Sequence, residues 1–381
     1  MPMNGLANRR SDRELANLGS QLDACGGIAP GFNVLRLTAA MAVLFSHSFE
    51  LAPSAGWPEP FRHFSGGQTS IAGSAVYIFF IISGFLVTAS YQKSQDVLDF
   101  VLKRALRILP ALVIVVFLTA FVLGPTMTTL PLTDYFSDER FRSYLLNALT
   151  IGGDSLAGVY EDLPATGSVN GSLWTLRYEL ICYALVIFAG ASGLLYRHSL
   201  LLVLAVPLVV LGWWAKNKSV YVFEPLGIEV AYLLRFVGYF VAGMTIWIFR
   251  YRIVLDWRYA AAAALLSLIA LRFGLYHLLF PLLGGYLVVF LAMRLQIDFL
   301  SQRDYSYGIY LYAFPIQQLV VALAPGQPFC WTNMLWSAPP TIICAVLSWH
   351  LVEKRALLFF RSLKSDRPVP LQPASTPQAV V

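Results

Sequence analysis

Two ionisable side chains, Arg36 and His47, stand in the first apolar run of the sequence. A charge inside a bilayer is costly, and such residues mark functional positions by default. Eleven positions of helix amount to about 1100° of rotation, so the two lie about 20° from a common face and about 16 Å apart along the axis. One stripe therefore presents a fixed cation near one end and a titratable base further along. Neutral imidazole is the cheaper form in a low dielectric, which suits a general base that takes a proton from a hydroxyl. Glu179 lies roughly 9 Å into another apolar run, a depth comparable to that of His47. A carboxylate beside an imidazole orients it and stabilises its cation. Blander readings stand beside these. Arg36 can snorkel to the headgroups, His47 can make an ordinary interhelical hydrogen bond, and Glu179 can pair with Arg177 or Arg235.

Arg104 and Arg107 open a third run as KRALRILP. At i and i+3 they share a face. They read either as an anion site or as the usual cationic flank of a spanning helix. Ser83-Gly84 interrupts FFIISGFL. Small residues there permit close helix packing or leave room for a slim ligand. Ser172, Trp174 and Arg177 precede Glu179 at the same mouth. Cys25, Cys182, Cys330 and Cys344 lie far apart with no metal-ligand spacing, so they read as small core residues and no metal site is expected.

The elements that must carry these residues are set by composition. The chain has 381 residues, of which 57% are hydrophobic and only 13% charged. That charged share is about half of the usual one. Too few polar groups remain to cover soluble domains, and disordered chains are poor in apolar residues. Ten apolar runs are near the length of a spanning helix: 33–52, 71–91, 108–124, 173–191, 199–214, 229–249, 257–273, 276–293, 306–323 and 334–352. They are continuous rather than alternating, which excludes a membrane barrel. The expected fold is an all-α, polytopic transmembrane helical bundle of about ten spans. Residues 1–30 read as a polar N-terminal segment that is not a cleavable signal, 31–356 as the transmembrane domain, and 357–381 as a disordered tail.

Orientation follows from the Lys/Arg bias. With the N-terminus inside, 18 Lys and Arg residues fall on the cytoplasmic side and 5 outside. Both termini are then cytoplasmic, in the cell (inner) membrane. The net charge of +6 belongs to this topology, so no nucleic-acid partner is expected. The long outer loop, 125–172, carries Asp134, Asp138, Glu139, Asp154, Glu161 and Asp162 and should lie over the bundle mouth.

Six segments in order resemble the acyltransferase-3 family of membrane O-acyltransferases. They are RLTAAMAVLFSH (Arg36 to His47), FFIISGF (79–85), RALRILP (Arg104 to Pro110), SLWTLRYE (Ser172 to Glu179), SYGIYLYAFPI (306–316) and HLVEKRA (350–356). The resemblance implies transfer of an acyl group, acetyl above all, from a cytoplasmic acyl-CoA co-substrate to a hydroxyl of a carbohydrate or lipid-linked glycan, with no bound cofactor. It implies His47 as base, supported by Glu179. Arg36, Arg104, Arg107, Ser83 and Gly84 would meet the donor, and Ser172, Trp174, Arg177 and Arg235 the acceptor. A route through acyl-His47 stays open. Ala313 stands where many members have His, and Arg355 where many have Pro. No hydrolase-like domain of the kind fused in some members is expected. A proton-coupled transporter or flippase would use the same intramembrane charges as a relay, and a scaffold of a polysaccharide machine is a third reading. Oligomeric state is not legible.

Overall fold

A computed structural model describes residues 17–54, 57–165, 167–215, 221–223, 227–295, 297–301, 303–324 and 329–365. Its long helices are α1 (Phe32–Leu51), α2 (Ile71–Lys93), α3 (Val97–Leu118), α4 (Leu176–Ala191), α5 (His198–Trp214), α6 (Val230–Ile248), α7 (Trp257–Arg272), α8 (Tyr276–Arg294), α9 (Ser306–Leu323) and α10 (Cys330–Ser348). A helix thus occupies each of the ten apolar ranges. Among the described residues, six helical segments are long and apolar enough to cross a membrane: Phe32–Leu51, Ile71–Lys93, Val97–Met127, Leu173–Ala191, Val230–Ile248 and Tyr276–Arg294. The helices α5 and α7 are short, at 17 and 16 residues. The helices α9 and α10 carry Gln317, Gln318, Asn333 and internal prolines.

The starts are built locally. Ser70 accepts from Gly73 N–H at the head of α2, and Asp96 accepts from Asp99 N–H at the head of α3. Each satisfies a backbone donor that has no partner within the helix. Two π-helical turns interrupt the regular pattern. One, Thr119–Leu123, extends α3; the other, Trp349–Glu353, joins α10 to the terminal helix α11 (Lys354–Ser365).

At the centre, α2 packs against α1, α6 and α8, while α9 packs against α1 and α10. The α2–α6 seam depends on two glycines. A Cβ on Gly84 would stand 1.9 Å from the Phe240 carbonyl oxygen, and one on Gly243 would stand 2.0 Å from that of Ile81. The seam between α1, α9 and α10 is polar. Gln317 Nε2 donates to Leu44 O and to Ser48 Oγ, and Asn333 Nδ2 donates to Gln317 O. The outward faces are apolar, as at Val203, Val206, Leu282 and Leu335. Apolar surface spread over so many helices suits a lipid solvent.

The outer segment folds onto the bundle. Tyr135 donates to Ala120 O at 2.7 Å, Asn170 Nδ2 donates to Leu311 O, and Gln318 Nε2 donates to Ser168 O. Its exposed Arg140 hydrogen-bonds Asp138 and Glu161 and holds both carboxyls below their usual range. The ends differ in part from expectation. Within residues 1–30, Leu18–Ala24 is a helix with Leu18 and Leu22 buried; residues 1–16 lie outside the described residues. Residues 357–365 continue α11, and the rest of the tail, 366–381, also lies outside the described residues.

Candidate active site

Five of the residues singled out in the sequence meet around one cavity of about 220 Å³: Arg36, Ser83, Arg104, Arg107 and Glu179. They come from α1, α2, α3 and α4, and α9 supplies Ser306, Tyr307 and Tyr310. Phe79, Phe80, Leu86, Ile108 and Leu176 make part of the wall apolar.

The arginines are not equivalent. Asp304 Oδ2 accepts from Arg36 Nη1 at 3.0 Å and from Arg107 Nη2 at 2.5 Å. The other oxygen of Asp304 accepts from the backbone N–H and hydroxyl of Ser306. Burial alone would push the Asp304 carboxyl up; Arg107 and Arg36 outweigh it and hold it below the usual carboxylate range. Arg107 Nη1 also reaches Glu353 Oε2 at 3.0 Å. Ser348 donates to the other Glu353 oxygen, and the π-helical turn supplies that geometry by turning Glu353 inward. Arg104 makes no ion pair among the described residues, and its Nε is buried with no hydrogen-bond partner. Of the three guanidiniums that line the cavity, Arg104 is thus the one without an ion pair among the described residues.

Glu179 takes Tyr183 OH at 2.5 Å and Ser83 Oγ at 3.3 Å. It therefore belongs to the arginine cavity and not to His47. The cause is local. Asn170 and Ser172 are fully buried, and a 3₁₀ turn, Leu173–Thr175, precedes α4, so the helix begins inside the bundle and not at its rim. His47 lies outside the cavity lining. Its ring meets Phe314 edge-on at 5.4 Å, and its Nδ1 is buried with no hydrogen-bond partner. Tyr310 and Phe314, at i and i+4, share a face of α9. Tyr310 lines the cavity and Phe314 touches His47, so one helical turn links the base to the cavity. Tyr310 OH also donates to Ser172 O at 2.8 Å and lies 2.5 Å from Thr175 Oγ1. Ser172 Oγ is buried without a partner. Gly171 lies against the Phe314 ring, where a Cβ would stand 2.8 Å away.

The remaining expected residues are spread. Gly84 takes the packing role at the α2–α6 seam, and Ser83 alone of that pair faces the cavity. Arg177 donates to Gly152 O in the outer segment. Arg235 donates to Tyr77 and lies over the Tyr232 ring. Trp174 packs edge-on against Tyr232 at 4.8 Å and keeps 36% of its surface exposed. Arg235 and Trp174 thus meet at Tyr232. Asp304 and Tyr183 were not singled out in the sequence, and Glu353 was noted only within a motif. The available signal was Asp-x-Ser at the head of an apolar helix.

Comparison with known proteins gives concordant results. The model of the acyltransferase domain family matches residues 30–353. An O-acetyl transferase of Shigella phage Sf6 is 34% identical over 340 residues, 86% of this chain and 95% of that protein. Nodulation protein 10 of Rhizobium leguminosarum bv. viciae is 28% identical over 379 residues, 92% of this chain and 99% of that protein. No solved structure matches the chain.

Proposed function

The chain belongs to the acyltransferase-3 family, and from that premise we propose that it is an integral-membrane O-acetyltransferase. The donor is cytoplasmic acetyl-CoA and the acceptor is a hydroxyl of a carbohydrate or lipid-linked glycan. The name of the phage relative supports acetyl as the group moved. The bundle spans the inner membrane about ten times with both termini cytoplasmic, so Arg104 and Arg107 stand at the inner mouth.

The observation that carries the reading is the link from the arginine cavity through Tyr310 and Phe314 to His47. A wall that is partly apolar suits the slim, uncharged thioester arm of the donor. Arg104 meets the anionic end, and Ser83, Thr175 and Tyr310 line the way toward His47. His47 then takes the proton of the acceptor hydroxyl as that oxygen bonds to the thioester carbonyl carbon. The carbon–sulfur bond breaks, and the imidazolium returns its proton to the departing thiolate. Glu179, held by Tyr183 and Ser83, keeps the inner cavity polar; it does not act as the partner of His47. Ser172, Trp174, Arg177 and Arg235 lie at the outer side and hold the acceptor, with Trp174 and Tyr232 offering ring faces to a sugar.

The test is transfer of radiolabelled acetyl from acetyl-CoA to endogenous glycans in membranes that contain the wild type or His47→Ala. Label should appear only with the wild type, while His47→Ala still inserts and binds acetyl-CoA. Equal labelling by both would remove His47 from the reaction.

A further inference from the structure

Among the described residues, Asp304 is the one carboxylate that touches two of the three cavity arginines. Its Oδ2 lies 3.0 Å from Arg36 Nη1 and 2.5 Å from Arg107 Nη2, which come from α1 and α3. Its Oδ1 is fixed by both donors of Ser306. Every oxygen of the carboxylate is therefore used, and the group is buried. The start of α9 is thereby tied to two other helices at the mouth of the cavity. Glu353 completes the hold on Arg107 from the far side. Arg107 is clamped between two carboxylates, Arg36 is held by one, and Arg104 by none among the described residues.

We propose that Asp304 is the positioning residue of the cavity, fixing the Arg36 and Arg107 guanidiniums as a rigid rim so that Arg104 is the cation that engages the acyl donor. The inference rests on the donor reading given above. A carboxylate bridging two guanidiniums fixes their planes through directed hydrogen bonds, which a freely rotating ammonium would not provide. The division of labour follows. An arginine fixed by a carboxylate shapes the wall, and an arginine paired with none takes the incoming anion.

Arginine-selective labelling tests this without relying on turnover. The full-length protein in nanodiscs is treated with phenylglyoxal, and each arginine is followed by mass spectrometry. In the wild type, Arg104 should react at least about tenfold faster than Arg36 or Arg107, since engaged guanidiniums react slowly. Acetyl-CoA should protect Arg104. In Asp304→Asn, Arg36 and Arg107 should become reactive, and KM for acetyl-CoA should rise about tenfold or more with a smaller change in kcat. Asp304→Glu should recover part of the protection, a rescue that a purely structural role would not require. Asp304→Asn leaves two cations facing each other, so the doubly neutralised Asp304→Asn/Arg107→Gln protein, with its fold checked by its unfolding midpoint, serves as a second variant. In it Arg36 should label rapidly, because Asp304 no longer holds it.

Unchanged labelling of Arg36 and Arg107 in Asp304→Asn would overturn the proposal, as would altered labelling with unchanged kinetics. Failure of acetyl-CoA to protect Arg104 in the wild type would sink the assignment of Arg104. Failure of the donor reading has a different signature, which is absence of acetyl-CoA turnover in the wild type before any variant is made.

Discussion

Replacing Gly84 with alanine places a methyl group where the backbone of α6 already runs. The new Cβ would lie 1.9 Å from the Phe240 carbonyl oxygen, 2.8 Å from its carbon and 3.1 Å from Met244 N. None of these atoms can rotate aside. An ordinary contact of carbon with a carbonyl oxygen is about 3.3 Å, so α2 and α6 must part by about 1.4 Å. Overpacking of this kind costs about 1–3 kcal/mol, and a clash with backbone belongs at the upper end. Removing a helical glycine returns about 1 kcal/mol of intrinsic propensity. The net effect is destabilisation by about 2 kcal/mol, a fall in unfolding midpoint of roughly 2–3 °C for a chain of this length. Function falls with it, because the same displacement carries Ser83 away from Glu179, now 3.3 Å distant. The assay is thermal unfolding of the purified protein in nanodiscs, followed by acetyl transfer. Gly243→Ala should cost as much, and both together less than their sum, because the helices need part only once. Ser83→Ala, one position away, should lose no more than the roughly 1 kcal/mol of a hydrogen bond. A wild-type midpoint for Gly84→Ala would refute the close seam and the packing role of this glycine.

Arg104 and Arg107 should separate cleanly. Arg104→Ala should raise KM for acetyl-CoA about tenfold or more with an unchanged midpoint. Arg107→Ala strands the buried Glu353 carboxylate and takes one of two cations from Asp304, and should lower stability by about 3–5 kcal/mol; equal midpoints for the two variants would contradict the pairing. The Asp304 carboxyl is held below its usual range when folded, so its contribution is present above about pH 4 and is lost as pH falls through the lower folded value. The stability gap between wild type and Asp304→Asn should persist down to about pH 4 and close below it. A gap that closes between about pH 7 and pH 5 would contradict the depressed value.

Much of the cavity was legible because an ionisable residue in an apolar run stands out. Arg36, Arg104, Arg107 and Glu179 were visible for that reason, and they line one space. Asp304 and Glu353 were not, because each lies at a helix junction, where a carboxylate is ordinary in sequence. Only the fold shows that both face Arg107. The placing of Glu179 beside His47 assumed that α4 starts at the rim. The burial of Asn170, Ser172, Leu173 and Thr175 moves that start inward. Ser83 and Gly84 carried two readings together. Adjacent positions on a helix point about 100° apart, so one faces the cavity and the other faces α6. Helix ranges were legible from hydropathy alone, whereas the helical course of residues 357–365 was hidden by the polar tail that follows.

The π-helical turn at Trp349–Glu353 amounts to one residue more than a regular helix would hold between α10 and α11. That makes it a phase setting. Tightening the same five residues into regular α-helix would turn everything downstream by about 100°. Glu353 would swing off Arg107, and α11 would roll with it. A change favourable for local backbone geometry would thus unseat the clamp, so the extra residue carried in this turn sets where Glu353 points.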